Sequence, residues 1–189
     1  MRLEPLDLRH AEGLWEASRD PRTWLWLSCA QPATRAELDG WLGEALGAAA
    51  RGAEIPFATI RRGTDGAPDV LVGSTRFLAL RPGHRSVEIG WTWLHPSAWG
   101  TGINAEAKLL QLDHAFGTWA CRRVEWKTDA LNDRSRRAIE ALGATFEGVH
   151  RKHMLVRGGE NRDSAWYSLL DDEWPAARAR LLARLEPRR

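Results

Sequence analysis

His95-Pro96-Ser97-Ala98-Trp99-Gly100-Thr101-Gly102-Ile103-Asn104 joins two segments of different periodicity, and its reading decides the fold. Before it, Val87 to Leu94 alternates, with Val87, Ile89, Trp91 and Trp93 expected on one strand face and Glu88, Gly90, Thr92 and Leu94 on the other. After it, Ala105, Leu109, Leu112, Phe116 and Trp119 recur every three or four residues, with Glu106, Lys108, Gln111 and Asp113 outside that stripe. A strand therefore turns through two glycines into an amphipathic helix. Arg123 to Thr128 reads as another strand, and a strand–helix–strand unit of this length favours a right-handed crossover between parallel neighbours. Gly100 and Gly102 withhold side chains where the helix begins, leaving backbone N–H groups beside its positive end. That suits a phosphate, and it equally suits a tight helix entry with no ligand.

Outward from this corner the other elements follow. Arg2 to Leu6 reads as a short strand, and Leu8 to Arg19 as a helix with Leu8, Ala11 and Trp15 on its apolar side. Thr34-Arg35-Ala36-Glu37 is a capping box for a helix from Ala36 to Arg51. The very apolar connection Pro21 to Pro32, with Trp24, Leu25, Trp26 and Leu27, reads as a folded-over loop or helical turn. Ile55 to Arg61 and Val70 to Leu80 flank the turn residues Gly63-Thr64-Asp65-Gly66-Ala67-Pro68 and form a hairpin. Asn132 caps a helix with Ser135, Ala138, Ile139 and Leu142 on one side, and Gly143 ends it. Strands from Ala144 to Val156 and Asp163 to Leu170 surround Arg157-Gly158-Gly159-Glu160-Asn161. A last helix begins at Asp171-Asp172-Glu173 with Pro175 and carries Trp174, Ala177, Leu181 and Leu185. The fold class is α/β, an α+β mixed sheet with helices on both faces.

The 189 residues, 43% hydrophobic and 28% charged, suffice for one domain, expected over residues 1–185, with a loose tail at residues 186–189. No run approaches the ~18 apolar residues of a membrane span, and Arg2, Glu4, Asp7 and Arg9 stand where a leader would be apolar. A cytoplasmic location without a membrane partner is expected. A formal charge of +2 offers no basic field for nucleic acid. Cys29 and Cys121 have no His or Cys at ligand spacing, so no metal site and no disulfide framework are expected. Eleven Trp against one Tyr suits a core, and also a pocket that stacks on a ligand.

No Gly-Lys-Ser/Thr follows the glycines, which excludes a P-loop. Gly100-x-Gly102-x-x-Ala105 with Glu125 roughly 20 residues on matches a relaxed dinucleotide fingerprint. The order of elements argues against an NAD-binding protein, because a hairpin precedes the motif and too little chain follows it.

Val87-Glu88-Ile89-Gly90-Trp91, Leu94-His95-Pro96, the Gly-x-Gly turn, Glu106-Ala107, Arg123-Val124-Glu125, Asn132-x-x-Ser135, Ala141-Leu142-Gly143, Glu147-Gly148 and Arg162-Asp163 occur in one order. In that series the chain resembles the GCN5-related N-acetyltransferase (GNAT) superfamily, in its branch of ribosomal-protein N-terminal alanine/serine acetyltransferases. The resemblance runs over nearly the whole chain and is most specific from Asn132 to Asp163. It implies a six- to seven-stranded mixed sheet splayed between two central parallel strands, with acetyl-CoA lying in the splay. It implies transfer of the acetyl group to a primary amine, a peptide N-terminus or a small amine, by direct attack in a ternary complex. A non-catalytic acyl-CoA-binding sensor on the same fold is the alternative.

The resemblance places the coenzyme's pyrophosphate on Trp99, Gly100, Thr101, Gly102, Ile103 and Asn104. Trp99 departs from the family's long polar residue and Asn104 from a small one. A backbone N–H near Trp93 or Leu94 would meet the thioester carbonyl, with His95 at the strand end. Glu88 would serve as base or relay to water, or it is an ordinary salt-bridged strand carboxylate; His95 and His153 are the alternative bases. Asn132 and Ser135 would contact the pantetheine, Ser135 as a proton donor to sulfur, or they are a cap and a buried hydroxyl. Arg136 and Arg137 would meet a 3′-phosphate, Trp24 and Trp26 would line the acceptor pocket with Glu88 and His153, and Tyr167 packs in the sheet. A homodimer through the C-terminal hairpin or the final helix stays open.

Overall fold

In a computed structural model that describes residues 1–186, seven strands form one mixed sheet in the order β1-β2-β3-β4-β5-β7-β6. These are β1 (Arg2–Pro5), β2 (Ile55–Arg61), β3 (Val70–Arg81), β4 (Ser86–Leu94), β5 (Arg123–Asp129), β6 (Thr145–Val156) and β7 (Glu160–Leu170). Only β4 and β5 pair in parallel, through a crossover that contains α3 (Ile103–Asp113). The single-domain expectation is drawn for residues 1–185; of the expected tail, residues 187–189 lie outside the described residues. A doubly wound dinucleotide sheet is ruled out by the antiparallel pairing everywhere else.

Alternation along β2 divides the core. Ala58 and Ile60 pack with α1 (Ala11–Ser18) and α2 (Arg35–Ala50), whereas Ile55 and Phe57 pack against the cluster of Phe77, Ile89 and Leu112. The second cluster also takes in α4 (Asp133–Glu140) through Ile139 and α5 (Trp174–Leu185) through Trp174, Ala177 and Leu181.

Several sequence expectations change in detail. Leu8 belongs to a separate 3-10 turn, Leu8–His10, and is 69% exposed; the buried face of α1 is Leu14 and Ala17. The Thr34 hydroxyl accepts from the Glu37 N–H as a cap should, but the Glu37 carboxylate takes the N–H of Ala33 rather than that of Thr34. The helix after the glycines widens into a π turn at His114–Thr118.

The expected single face for Val87, Ile89, Trp91 and Trp93 is wrong. Ser74 pairs with Trp93 and Arg76 with Gly90, so β4 carries one more residue than β3 across this interval, and Trp91 takes a positive φ of 48°. A bulge reverses the alternation beyond it. Val87 and Ile89 face the α3 cluster, while Trp93 packs at 5.3 Å on Trp24 and 5.7 Å on Trp41 in the α1–α2 cluster.

The same region holds a close approach that only glycine permits. A Cβ on Gly73, at φ 158°, would lie 2.0 Å from the Trp93 carbonyl oxygen and 2.9 Å from Leu94 Cα. Gly73→Ala is therefore expected to cost about 2–4 kcal/mol, combining strained backbone with overpacking. Denaturant midpoints of the two proteins measure it, and a loss below about 0.5 kcal/mol would contradict a fixed β3–β4 contact.

Candidate functional site

The parallel ladder is short. Ser86, Val87 and Glu88 register with Arg123, Val124 and Glu125, and beyond Glu88 the two strands have no paired residues although β4 continues to Leu94 and β5 to Asp129. The β5-facing backbone of residues 89–94 is thus left without a strand partner. Into this wedge opens a cavity of about 510 Å³.

At one mouth stands the glycine corner. Gly100 and Gly102 have φ of 74° and 87°, a left-handed region that glycine enters freely, and a Cβ on Gly100 would meet nothing within 4 Å. Gly102 is the N-cap of α3 without a side-chain cap. Among the described residues no hydrogen-bond acceptor serves the backbone N–H groups of residues 100–105. Several orphan donors therefore converge where the helix dipole is positive, the arrangement that binds an anion. Asn104 leaves a buried Oδ1 without a partner at the cavity wall. These unfilled donors and acceptors fit a diphosphate followed by an amide-rich arm.

Trp99, where the resemblance implies a long polar residue, has partners of its own. Its Nε1–H donates to the Leu94 carbonyl at 2.9 Å, which fixes the ring, and the Arg134 guanidinium lies 3.4 Å from the ring centroid. Arg134, at the start of α4, makes no ion pair among the described residues and lines the cavity, as Gly100 does. The guanidinium is thus held at the cavity by cation–π stacking on Trp99. Sequence reading passed over Arg134 for its neighbours. Arg136 instead donates to the Tyr167 hydroxyl and the Ala130 carbonyl, and Arg137 to the Asp133 carbonyl, outside the cavity.

Further in, Asn132 caps α4 by accepting from the Ser135 N–H at 3.1 Å, and both residues line the cavity. Tyr167 is fully buried and its hydroxyl donates to Glu140, as a sheet-packing role requires. Glu88, 3% exposed, receives two hydrogen bonds from Lys127 Nζ at 2.7 and 2.5 Å. Burial raises its pKa above the ordinary carboxylate value, against the pull of the Lys127 charge.

Trp26, Trp93 and Leu94 share this cavity with Glu88. Six other expected site residues do not line it. Trp24 is 2% exposed and donates to the Ser18 carbonyl, a core anchor. His95 turns its Nδ1 to Ser97, closing a 3-10 turn, and His153 Nδ1 bonds the Ser164 hydroxyl beside Trp166. Thr101 caps back to the Ala98 carbonyl, Ile103 packs with Val72 and Leu94, and Arg137 is exposed. For Thr101 and Ile103 the contribution available is the backbone.

One buried group contradicts the α3 stripe read from sequence. Lys108 and Gln111 are 3% and 2% exposed. Lys108 Nζ reaches Thr75 Oγ1, Thr92 Oγ1 and Gln111 Oε1 at 2.8, 2.9 and 3.0 Å, bracing the β4 bulge with no carboxylate partner among the described residues. Desolvation lowers its pKa to about 7. Between that value and the ordinary 10.5, the unfolded chain holds a proton that the native chain lacks, so this group makes stability rise with pH. Lys108→Met is expected to flatten the stability–pH curve between pH 7.5 and 9.5 by about 1.4 kcal/mol per pH unit. Denaturant unfolding of both proteins across that window checks it; parallel curves would mean that Lys108 stays charged.

Comparison with known proteins sharpens the picture. The family model for an acetyltransferase (GNAT) domain matches residues 1–145. The N-acetyltransferase YoaA of Bacillus subtilis strain 168, itself uncharacterized, is 29% identical over 100 residues, 53% of this chain and 55% of that protein. The chain spans about half the length of the curated relatives it matches. A GCN5-related N-acetyltransferase from Brucella melitensis superposes with TM-score 0.89 at 36% identity, over 98% of this chain and 82% of that one. RimJ of Mycobacterium smegmatis, solved with CoA-disulfide, shares the fold at 24% identity, with TM-score 0.77 over 96% and 88% of the two chains.

Proposed function

The chain belongs to the acetyltransferase (GNAT) domain family, and from that premise we propose that it transfers the acetyl group of acetyl-CoA to a primary amine. The observation that carries this reading is the glycine corner, whose unbonded N–H groups open onto the wedge between β4 and β5. The corner would hold the diphosphate through the amides of residues 100–105, with the Arg134 guanidinium beside it on Trp99. The wedge would take the pantetheine arm along the unpaired β4 edge, with Asn132 and Asn104 as its amide partners. When bound, acetyl-CoA supplies an acetyl group already activated as a thioester.

The chain's own residues then have three tasks. A backbone N–H of β4 near Trp93 or Leu94 receives the developing negative charge on the carbonyl oxygen, in a site where water is excluded. Glu88 takes the proton that the amine loses as its nitrogen bonds to the acetyl carbon; its raised pKa suits that role. The Ser135 hydroxyl donates to the departing sulfur, a minor task because a thiolate is a tolerable leaving group. The acceptor is a peptide N-terminus or a small amine, in line with RimL, a ribosomal L7/L12 alpha-N-protein acetyltransferase that shares the fold, and Trp26 walls its side of the cavity. A cytoplasmic location and a homodimer belong to the same reading.

Acetyl-CoA, and not NAD, is expected to raise the melting temperature, and thiol release with an amine acceptor is expected to be dependent on Glu88. Glu88→Gln should lower kcat about 100-fold while leaving acetyl-CoA affinity within twofold. Tight acetyl-CoA binding without thiol release from any amine or peptide would favour the sensor. Arg134→Ala should weaken acetyl-CoA about tenfold or more, the worth of a charge-assisted bond, by calorimetry. Unchanged affinity would take Arg134 out of the coenzyme site.

A further inference from the structure

On the acceptor side of the cavity one cation is left over. Arg162 lies on β7 opposite Met154, is only 7% exposed, and lines the same cavity as Glu88, Lys127 and Trp26. Among the described residues its guanidinium has neither a hydrogen bond nor an ion pair, and its Nε is enclosed without any partner. The charged groups around it have other partners, Asp129 through one oxygen only. Glu88 gives both oxygens to Lys127, Asp129 accepts the Leu131 N–H, and Arg157 donates to the Leu27 carbonyl and Glu160. Burial depresses the Arg162 pKa, only partly offset by the charges of Asp129 and Glu88. Five donors on a planar cation, removed from water and pointed at a cavity, are costly unless a ligand satisfies them.

We propose that Arg162 reads a carboxylate on the acceptor, so that the substrate is an amine that also bears a carboxylate. The inference rests on the amine-acetylation reading above and names its substrate class. A carboxylate matches the guanidinium fork bidentately and neutralises it, whereas a neutral carbonyl engages only part of the fork and leaves the charge unpaired. Arg162 then gives the cavity wall a cationic site for the acid, in the same cavity as Glu88, the base proposed for the amine. The carboxylate has two sources, the main chain of a free amino acid or an acidic side chain next to a peptide's terminal amine.

The test compares matched acceptors: amino acids against their amides, and aspartyl peptides against asparaginyl ones. Thiol release gives kcat and KM, and calorimetry gives acetyl-CoA affinity. In one pair series the carboxylate member should show at least tenfold higher kcat/KM, expressed mainly in KM, and the responding series identifies the source. Arg162→Gln should erase that preference with acetyl-CoA affinity within twofold, and Arg162→Lys should restore part of it. Acetyl-CoA binding and turnover with no preference in either series, or a preference that survives Arg162→Gln, overturns the inference alone. No acetyl-CoA binding by the wild type overturns the underlying reading and the inference with it. If Arg162→Gln fails to fold, the wild-type ratios still decide.

Discussion

The departure of β4 from β5 after three registered pairs is the constraint on which the site depends. Parallel neighbours in the middle of a sheet ordinarily stay laddered, because buried N–H and C=O groups left unpaired are costly. Here β4 is held to its other neighbour instead. Gly73 lets the Trp93 carbonyl come close, the extra residue at Trp91 turns the strand, and Lys108 pins Thr92 to Thr75 from α3. Each feature is local, yet together they keep open a slot that strand pairing would otherwise close.

Charge inside the molecule is arranged in contrasting ways. Arg76 is buried and ion-paired to Glu54 at 2.7 Å while its guanidinium also lies 4.9 Å from the rings of Trp41 and Trp91. Glu88 and Lys127 neutralise each other at the cavity floor. Lys108 has only neutral oxygens, and its charge is weakened accordingly. Among the described residues Arg134 and Arg162 have no carboxylate within ion-pair distance, and both line the cavity. Buried groups that serve packing are therefore paired or discharged, whereas Arg134 and Arg162 line the cavity where an anion would arrive.

Much of the fold was legible because it rests on periodicity and turn chemistry. Gly63 to Pro68, the glycines at 158 and 159, and the Asn132 cap all marked boundaries that the strands and helices respect. What escaped was whatever depends on one inserted residue or on distant neighbours. The bulge at Trp91 leaves the composition of β4 unchanged, so strict alternation put Trp93 on the wrong face. Lys108 looked like a solvated residue because a lysine on a helix normally is, and only the hydroxyls of Thr75 and Thr92 make its burial tolerable. The glycine corner was visible in the sequence, whereas the Arg134–Trp99 stack joins positions 35 residues apart in the chain and no local pattern signals it.

The tryptophans gathered at this cleft have an optical consequence. Indole emission responds to nearby charge and to polarity, and Trp99 sits under a guanidinium while Trp26 and Trp93 border the same hollow. With a single tyrosine in the chain, ultraviolet emission is dominated by indole. Filling the cleft changes the surroundings of several of these rings at once, so the protein carries its own unlabelled spectroscopic reporter of occupancy.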